Sequence, residues 1–425
     1  MCRFRRLRDD PRIDMAEART AGALSDFART RRAAHLAAEK AAQNGARLQF
    51  ARARLLEAGA MQNLAVAGFA DVRAEARGIC AELGDRACVA AAYRIEANAF
   101  ATTGAPATAR PLYAAALEIA NQMGNLNEKL NALSGLAYVE SQQGDVQAAE
   151  AHDRAALAVG SEMGQLKKYP VLVDLAGVLA AEGRIADSRA LGEQALDDSR
   201  QVRDQEGIGL SELVLAHALA REGKLPAAIT RYNEAVRILR EVQEPGQVGL
   251  ALLELGDAQM QQGDTVGALK SYEEARDLDR HVPGGFARPE IAMEFARVRL
   301  AGGQAEEAAE FARSAMNTFT SSGREGERLR AAALLARALI ARGNIGEASG
   351  VLDAIPPPEG RAYPIEAVVQ FRIARCLVAA NGGRRAEAGR AMDVIAAEVS
   401  HLGLPPLEKE TREAREAVLK TASPH

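Results

Sequence analysis

Residues 251–276 read ALLELGDAQMQQGDTVGALKSYEEAR and contain the pattern that decides the fold. Two helix-length segments flank Gly263, which Asp264 follows directly. A glycine between two such segments is typical of a left-handed residue that ends one helix and turns the chain into the next. The stretch therefore predicts a pair of helices joined by a tight turn at Gly263.

The glycine at this turn recurs along the chain at intervals of 40 residues, except for one interval of 39. Further glycines and prolines, among them Gly207 and the dipeptide Pro245-Gly246, stand at the other end of each unit and predict a second turn. A period of this length is typical of helical repeats, so we predict an all-α solenoid of tandem antiparallel helix pairs. The recurring glycines are Gly104, Gly144, Gly183, Gly223, Gly263, Gly303, Gly343 and Gly383.

Other positions repeat with the same period. Alanine stands five residues after each recurring glycine, with Ser188 as the exception, and predicts close approach of two helices. Nine residues after the glycine, three repeats have Tyr113, Tyr232 and Tyr272, which we expect to pack between neighbouring helices. Another repeat has Asp153 there, so the aromatic residue is not uniform.

Leu255-Gly256, Gly263-Asp264, Ala268, Tyr272 and Ala275 resemble the tetratricopeptide repeat motif, and the forty-residue spacing resembles its longer-helix variant. The resemblance implies a right-handed α-solenoid superhelix. More narrowly, the chain is similar to the repeat regions of bacterial signalling proteins that are linked to Ser/Thr kinases or to winged-helix regulators. It therefore implies a kinase or a transcription-regulator domain as a partner.

The repeat pattern also predicts the division of the chain. We expect a disordered basic N-terminus at 1–13, degenerate helical hairpins at 14–87, and eight repeats of about forty residues at 88–403. A C-terminal capping helix and tail should follow at 404–425, because the last unit departs from the motif as terminal repeats do.

Composition argues against several classes of partner. The 53 basic and 57 acidic residues nearly balance, which favours neither nucleic acid nor an acidic membrane as a partner. No apolar run is long enough to span a bilayer, and the basic N-terminus lacks the apolar core of a secretory signal. We expect a cytoplasmic protein with reduced cysteines, and favour buried thiols over a redox bond for Cys80 and Cys88, which flank Gly84.

The sequence predicts neither an enzyme nor a cofactor. It contains no phosphate-binding glycine loop and no kinase motif. The six histidines are scattered, without the helical spacing of a zinc site, so no metal site is expected. An enzyme remains the least favoured class, because no nucleophile, base and oxyanion donor can be proposed together.

A polar row predicts the binding surface. The residue six positions before each recurring glycine is mostly polar or charged, and Arg94 and Asn131 lie close to this row. Its C-terminal end is basic, which favours an acidic segment of a partner. The alternative is that any solenoid needs a polar face toward solvent, whether or not it binds anything. The predicted groove residues are Arg94, Asn98, Asn131, Tyr138, His217, Asp257, Arg297 and Arg337.

We therefore predict a non-enzymatic scaffold that binds a protein or peptide on the concave solenoid surface, in bacterial signalling or regulation. The alternative is a ligand- or peptide-sensing effector region of a transcription regulator, which a DNA-binding domain fused or encoded beside the chain would support. We also expect that reversing Arg297 and Arg337 to glutamate weakens partner binding without unfolding the protein.

Overall fold

The computed structural model describes residues 9–23, 26–64, 66–102, 104–164, 169–281, 288–356, 358 and 363–420. Within these ranges every regular element is an α-helix, and no strand occurs. The prediction of an all-α repeat solenoid is therefore confirmed.

The described residues form twenty-one helices, most of them thirteen to eighteen residues long. In chain order they are α1 Pro11–Ala23, α2 Phe27–Gln43, α3 Arg47–Asn63, α4 Phe69–Glu82, α5 Arg86–Thr102, α6 Pro106–Met123, α7 Leu126–Gln143, α8 Val146–Glu162, α9 Tyr169–Ala181, α10 Ile185–Val202, α11 Gln205–Arg221, α12 Leu225–Glu241, α13 Pro245–Gln262, α14 Thr265–His281, α15 Arg288–Ala301, α16 Ala305–Ser322, α17 Glu325–Ala341, α18 Ile345–Asp353, α19 Ile365–Asn381, α20 Arg385–Val399 and α21 Pro405–Lys420.

The chain divides into two compact units, the first ending at Val139 and the second beginning at Glu140. The first helix starts at Pro11, inside the segment 1–13 for which we expected disorder. Proline is favoured at the first helical position, and the Asp10 carboxylate accepts a hydrogen bond from the Arg12 amide at 3.0 Å. The expectation for residues 1–8 lies outside the described residues.

The eight recurring glycines all adopt the left-handed conformation predicted for them, with φ between 76° and 92°. At two of the opposite turns the prediction was wrong, because the left-handed residues there are Arg203 and Gln243. Gly207 lies inside α11, where the side chain of Asp204 caps its amide. Glycine is favoured at a left-handed turn position but is not required there, because other residues adopt this conformation at a modest cost.

The side chains of Cys80 and Cys88, on α4 and α5 of the first unit, form a disulfide. This corrects the expectation of two reduced thiols. The tight turn at Gly84 brings the two Cα atoms to 5.5 Å, and both side chains are buried. A separation of this size falls in the range that a disulfide spans.

Three glycine turns of the second unit contact residues several repeats further along the chain. A Cβ atom on Gly144 would lie 3.1 Å from the Gly326 amide, and one on Gly223 would lie 3.4 Å from Pro405. Gly183 likewise faces Ile365. The number of residues between partners is the same in the three pairs, as expected when successive repeats rotate by a constant angle and the solenoid meets its own next turn.

A fully buried tyrosine fills the space beside another glycine of the second unit. The ring of Tyr272 lies against Gly256 on α13, where most repeats have alanine. A Cβ atom at Gly256 would lie 2.3 Å from the Tyr272 Cε1 atom. With the ring in this place, no methyl group fits at Gly256.

Gly256→Ala is therefore expected to lower the free energy of unfolding by about 1 to 3 kcal/mol, because a rigid ring must move to admit the methyl group. Gly246→Ala on the same helix is the control, since a Cβ atom there meets nothing within 4 Å. Urea unfolding followed by circular dichroism measures both. Equal midpoints for the two variants would contradict the proposed contact.

Candidate functional site

Four of the predicted groove residues lie in the first unit. The Arg94 guanidinium donates to the Glu128 carboxylate at 2.8 Å. Asn98 accepts a hydrogen bond from the Tyr113 hydroxyl at 2.6 Å, so the repeated tyrosine orients the polar row as well as packing in the core. Asn131 and Tyr138 are exposed on α7. The first unit thus presents a polar surface along α5 and α7.

The other four predicted groove residues lie in the second unit, and His217 is the first of them along the chain. Its Nδ1 atom lies 2.9 Å from a Glu254 carboxylate oxygen, and the Arg221 Nε atom lies 3.1 Å from its Nε2 atom. Burial raises the pKa of Glu254, but His217 and Arg221 lower it more strongly, and the resulting pKa is about 2. Arg221 also contacts Glu366 on α19. His217 is therefore held in a charged network.

Asp257 and Arg297 form an ion pair between neighbouring repeats. The Arg297 Nη2 atom lies 3.0 Å from one Asp257 carboxylate oxygen, and the other oxygen accepts the Tyr272 hydroxyl at 2.7 Å. Arg297 also donates to Glu294, whose side chain is buried. Burial raises the pKa of Glu294, although Arg297 lowers it. Much of the positive charge of Arg297 is therefore already balanced inside the protein.

Arg337 pairs with the C-terminal helix. Its Nη1 atom lies 2.9 Å from a carboxylate oxygen of Glu410 on α21, and the Gln370 amide donates to the other oxygen at 3.1 Å. The helix predicted as a cap therefore also forms part of the surface that contains the row. Sequence periodicity did not predict this contact, because α21 lies outside the repeat pattern.

Asp257, Arg297 and Arg337 all line one cavity of about 550 Å³. Helices α13, α15, α17, α19 and α21 contribute its walls. Four side chains supply the cationic lining, namely the three arginines Arg297, Arg330 and Arg337 together with Lys409. Four carboxylates, Asp257, Glu366, Glu410 and Glu413, line it as well. Three of the eight predicted groove residues are thus brought together here, in a site of balanced charge, and His217 does not line it.

Apolar side chains complete the cavity. Met260, Met293, Leu300 and Leu334 contribute to its walls between the charged groups. A recess that combines apolar walls with convergent polar groups can hold a ligand and fix its orientation. Methionine side chains also adapt to ligands of varied shape.

Arg330 is a cavity residue that the sequence reasoning missed. It stands seven residues before Arg337 on α17, and this spacing places both on one helical face together with Ala333 and Leu334. A search for charged residues one and two turns before each row position would have found it. The row alone sampled a single residue per repeat.

Within the described ranges, no three or more His, Cys, Asp or Glu side chains are arranged to hold a metal ion. Nor does any described helix combine the length and apolar character needed to cross a membrane.

Residues 170–241, which span α9 to α12, match the tetratricopeptide repeat family model. The fold is similar to that of a Rap protein complexed with competence and sporulation factor, with 13% identity, 88% of this chain and 100% of that chain covered, and a TM-score of 0.55. It is also similar to NprR in complex with its cognate peptide NprX, with 12% identity, coverage of 82% and 99%, and a TM-score of 0.57.

The apo form of RapI is similar as well, at 12% identity, coverage of 79% and 98%, and a TM-score of 0.50. No curated protein matches the chain. The prediction of tetratricopeptide-like repeats is confirmed by the family model and by the fold. The chain therefore carries tetratricopeptide repeats, recognised at residues 170–241, and has the all-α solenoid fold of tetratricopeptide-like repeat proteins.

Proposed function

We propose that the protein is a non-enzymatic binding module and that its second unit holds a peptide segment in the cavity described above. The observation that carries this proposal is the convergence of Asp257, Arg297 and Arg337 on one recess with apolar walls. Its volume of about 550 Å³ suits several side chains of a peptide. The similar folds of the Rap and NprR complexes, both solved with a bound factor or peptide, support the same ligand class.

The proposal extends to the context of binding. We propose that peptide binding regulates a signalling partner in the cytoplasm, with a kinase or a transcription-regulator domain as the partner. Arg94, Asn98, Asn131 and Tyr138 form a proposed second contact surface on the first unit. Co-purification of a kinase or a DNA-binding protein with the chain from its native host would support this context, and its absence from repeated captures would oppose it.

A blocking substitution tests the cavity directly. Ala301 lines it at the end of α15 and is exposed, so a tryptophan there fills the recess without displacing the core. We expect Ala301→Trp to weaken peptide binding at least about tenfold, because the indole ring occupies the recess. The probe is a set of linear octapeptides selected from a displayed library on the full chain. Fluorescence anisotropy of the synthesised peptides measures the affinity.

Ala227→Trp is the matched control, since Ala227 is exposed on α12 and does not line the cavity. Its affinity should equal that of the wild type. Two outcomes oppose the proposal. One is a library that yields no peptide above background, and the other is equal binding to the Ala301→Trp and wild-type proteins.

A further inference from the structure

Arg330 is one of four residues of α17 that line the cavity. Residues 330, 333, 334 and 337 of this helix line the cavity, so the guanidinium of Arg330 is on the same face as Arg337. The Arg330 side chain is half-buried, and its Nε atom is buried without a hydrogen-bond partner. Among the described residues, no group accepts a hydrogen bond from the other guanidinium nitrogens of Arg330 either.

Neighbouring arginines of the second unit differ from Arg330 in one respect. Arg297 is paired with Asp257, Arg337 with Glu410, and Arg221 with Glu366. Among the described residues, no carboxylate lies within ion-pair distance of Arg330. Arg330 is therefore the lining arginine whose fork of donors is still available to a ligand.

The acidic residues around Arg330 do not pair with it. Glu294 pairs with Arg297 and Glu327 with Arg324, and burial raises the pKa of both carboxyl groups. Glu254 is ionised, but His217 holds its carboxylate at 2.9 Å. These carboxyl groups therefore balance the positive charge of Arg330 only in part, because none of them lies within ion-pair distance of it.

We propose that Arg330 binds a carboxylate of the peptide ligand, either the C-terminal carboxylate or an Asp or Glu side chain. The planar guanidinium matches the two oxygens of a carboxylate, and the apolar Leu334 and Met293 receive the adjoining side chain. This assignment rests on the proposed peptide-binding function. The sequence analysis assigned the preference for an acidic partner segment to Arg297 and Arg337. The proposal assigns it instead to Arg330, which lies outside the predicted row.

Chemical variants of the selected octapeptides test the assignment. Each peptide is synthesised with a free C-terminal carboxylate, with a C-terminal amide, and with its acidic side chains replaced by Asn or Gln. For the wild-type protein, one of the two neutral forms should bind at least about tenfold more weakly than the parent peptide. The form that loses affinity shows which carboxylate Arg330 binds. For Arg330→Gln, the same neutral form and its parent should bind equally.

Arg328→Gln is the control, because Arg328 lies on the same helix, pairs with Glu325 and does not line the cavity. It should keep the wild-type preference, and circular dichroism should show that both variants are folded. The assignment is overturned if both neutral forms bind the wild type as tightly as the parent, or if the preference persists in Arg330→Gln. With either of these results, the proposed function still stands if peptides bind the wild type and Ala301→Trp prevents their binding. If no peptide binds, the proposed function fails and the assignment fails with it.

Discussion

Asp153→Asn is expected to raise the free energy of unfolding by about 3 to 5 kcal/mol at about pH 8 and to leave it unchanged at about pH 4. Asp153 lies on α8 at the position where other repeats have a tyrosine, and its side chain is 1% exposed. Among the described residues, neither of its carboxylate oxygens has a hydrogen-bond partner. A charge in such a place is strongly destabilising.

The direction of this effect follows from the proton that Asp153 keeps in the folded chain. Burial raises its pKa to about 8, and the carboxylates of Asp174 and Glu140, the latter beside His152, add to the shift. In the unfolded chain the pKa is near its ordinary value of 3.8. Between these values the unfolded state has lost a proton that the folded state retains, so rising pH favours unfolding. Asparagine does not ionise and removes this dependence.

Urea unfolding followed by circular dichroism at about pH 4 and about pH 8 measures the difference. Asp197→Asn is the control, because Asp197 is exposed on α10. Its stability should follow that of the wild type at both pH values. A constant difference between Asp153→Asn and the wild type across this range would contradict the raised pKa.

Arg297→Glu is expected to lower the free energy of unfolding by about 2 to 4 kcal/mol. The substitution removes the cation that Asp257 and Glu294 share and places a third carboxylate beside them. The Arg297 side chain is 33% exposed, which keeps the cost below that of a fully buried pair. The expectation that this reversal affects partner binding alone is thus revised, because the cation also stabilises the fold.

A second reversal separates this effect from a general response to charge. Arg280→Glu on α14 changes the same charge at a side chain that is 64% exposed and paired only one helical turn away, with Asp277. Its effect should stay below about 1 kcal/mol, as exposed pairs contribute little. Thermal and urea unfolding of the two variants at neutral pH provide the comparison. Equal losses of stability would show that the inter-repeat ion pair does not stabilise the second unit.

Sequence periodicity predicted local structure well because each repeat specifies its own turns and core. Gly263 is left-handed as expected, since only glycine adopts that conformation without cost. Ala268 and Tyr272 are fully buried, as their spacing from Gly263 indicated. The turns at Arg203 and Gln243 were missed, because two non-glycine residues adopt the left-handed conformation there.

The candidate site was predicted only in part. Asp257, Arg297 and Arg337 do line one cavity, because a forty-residue period keeps equivalent positions on the same face of successive helices. Their further partners Glu294 and Glu410 were not predicted, since these residues follow no shared spacing from the row. The unpaired state of Arg330 depends on where every neighbouring carboxylate lies, which a single row cannot indicate.

The sequence by itself determined the helix pairs, their left-handed glycine turns and the residues that face the core, because these depend on contacts within one or two repeats. Only the tertiary structure decided that Gly144 meets Gly326, that α21 lines the cavity, and which arginine of the cavity has no ion-pair partner among the described residues. These contacts join parts of the chain several repeats apart. They depend on the accumulated rotation of successive repeats, in which small differences in packing add up along the solenoid.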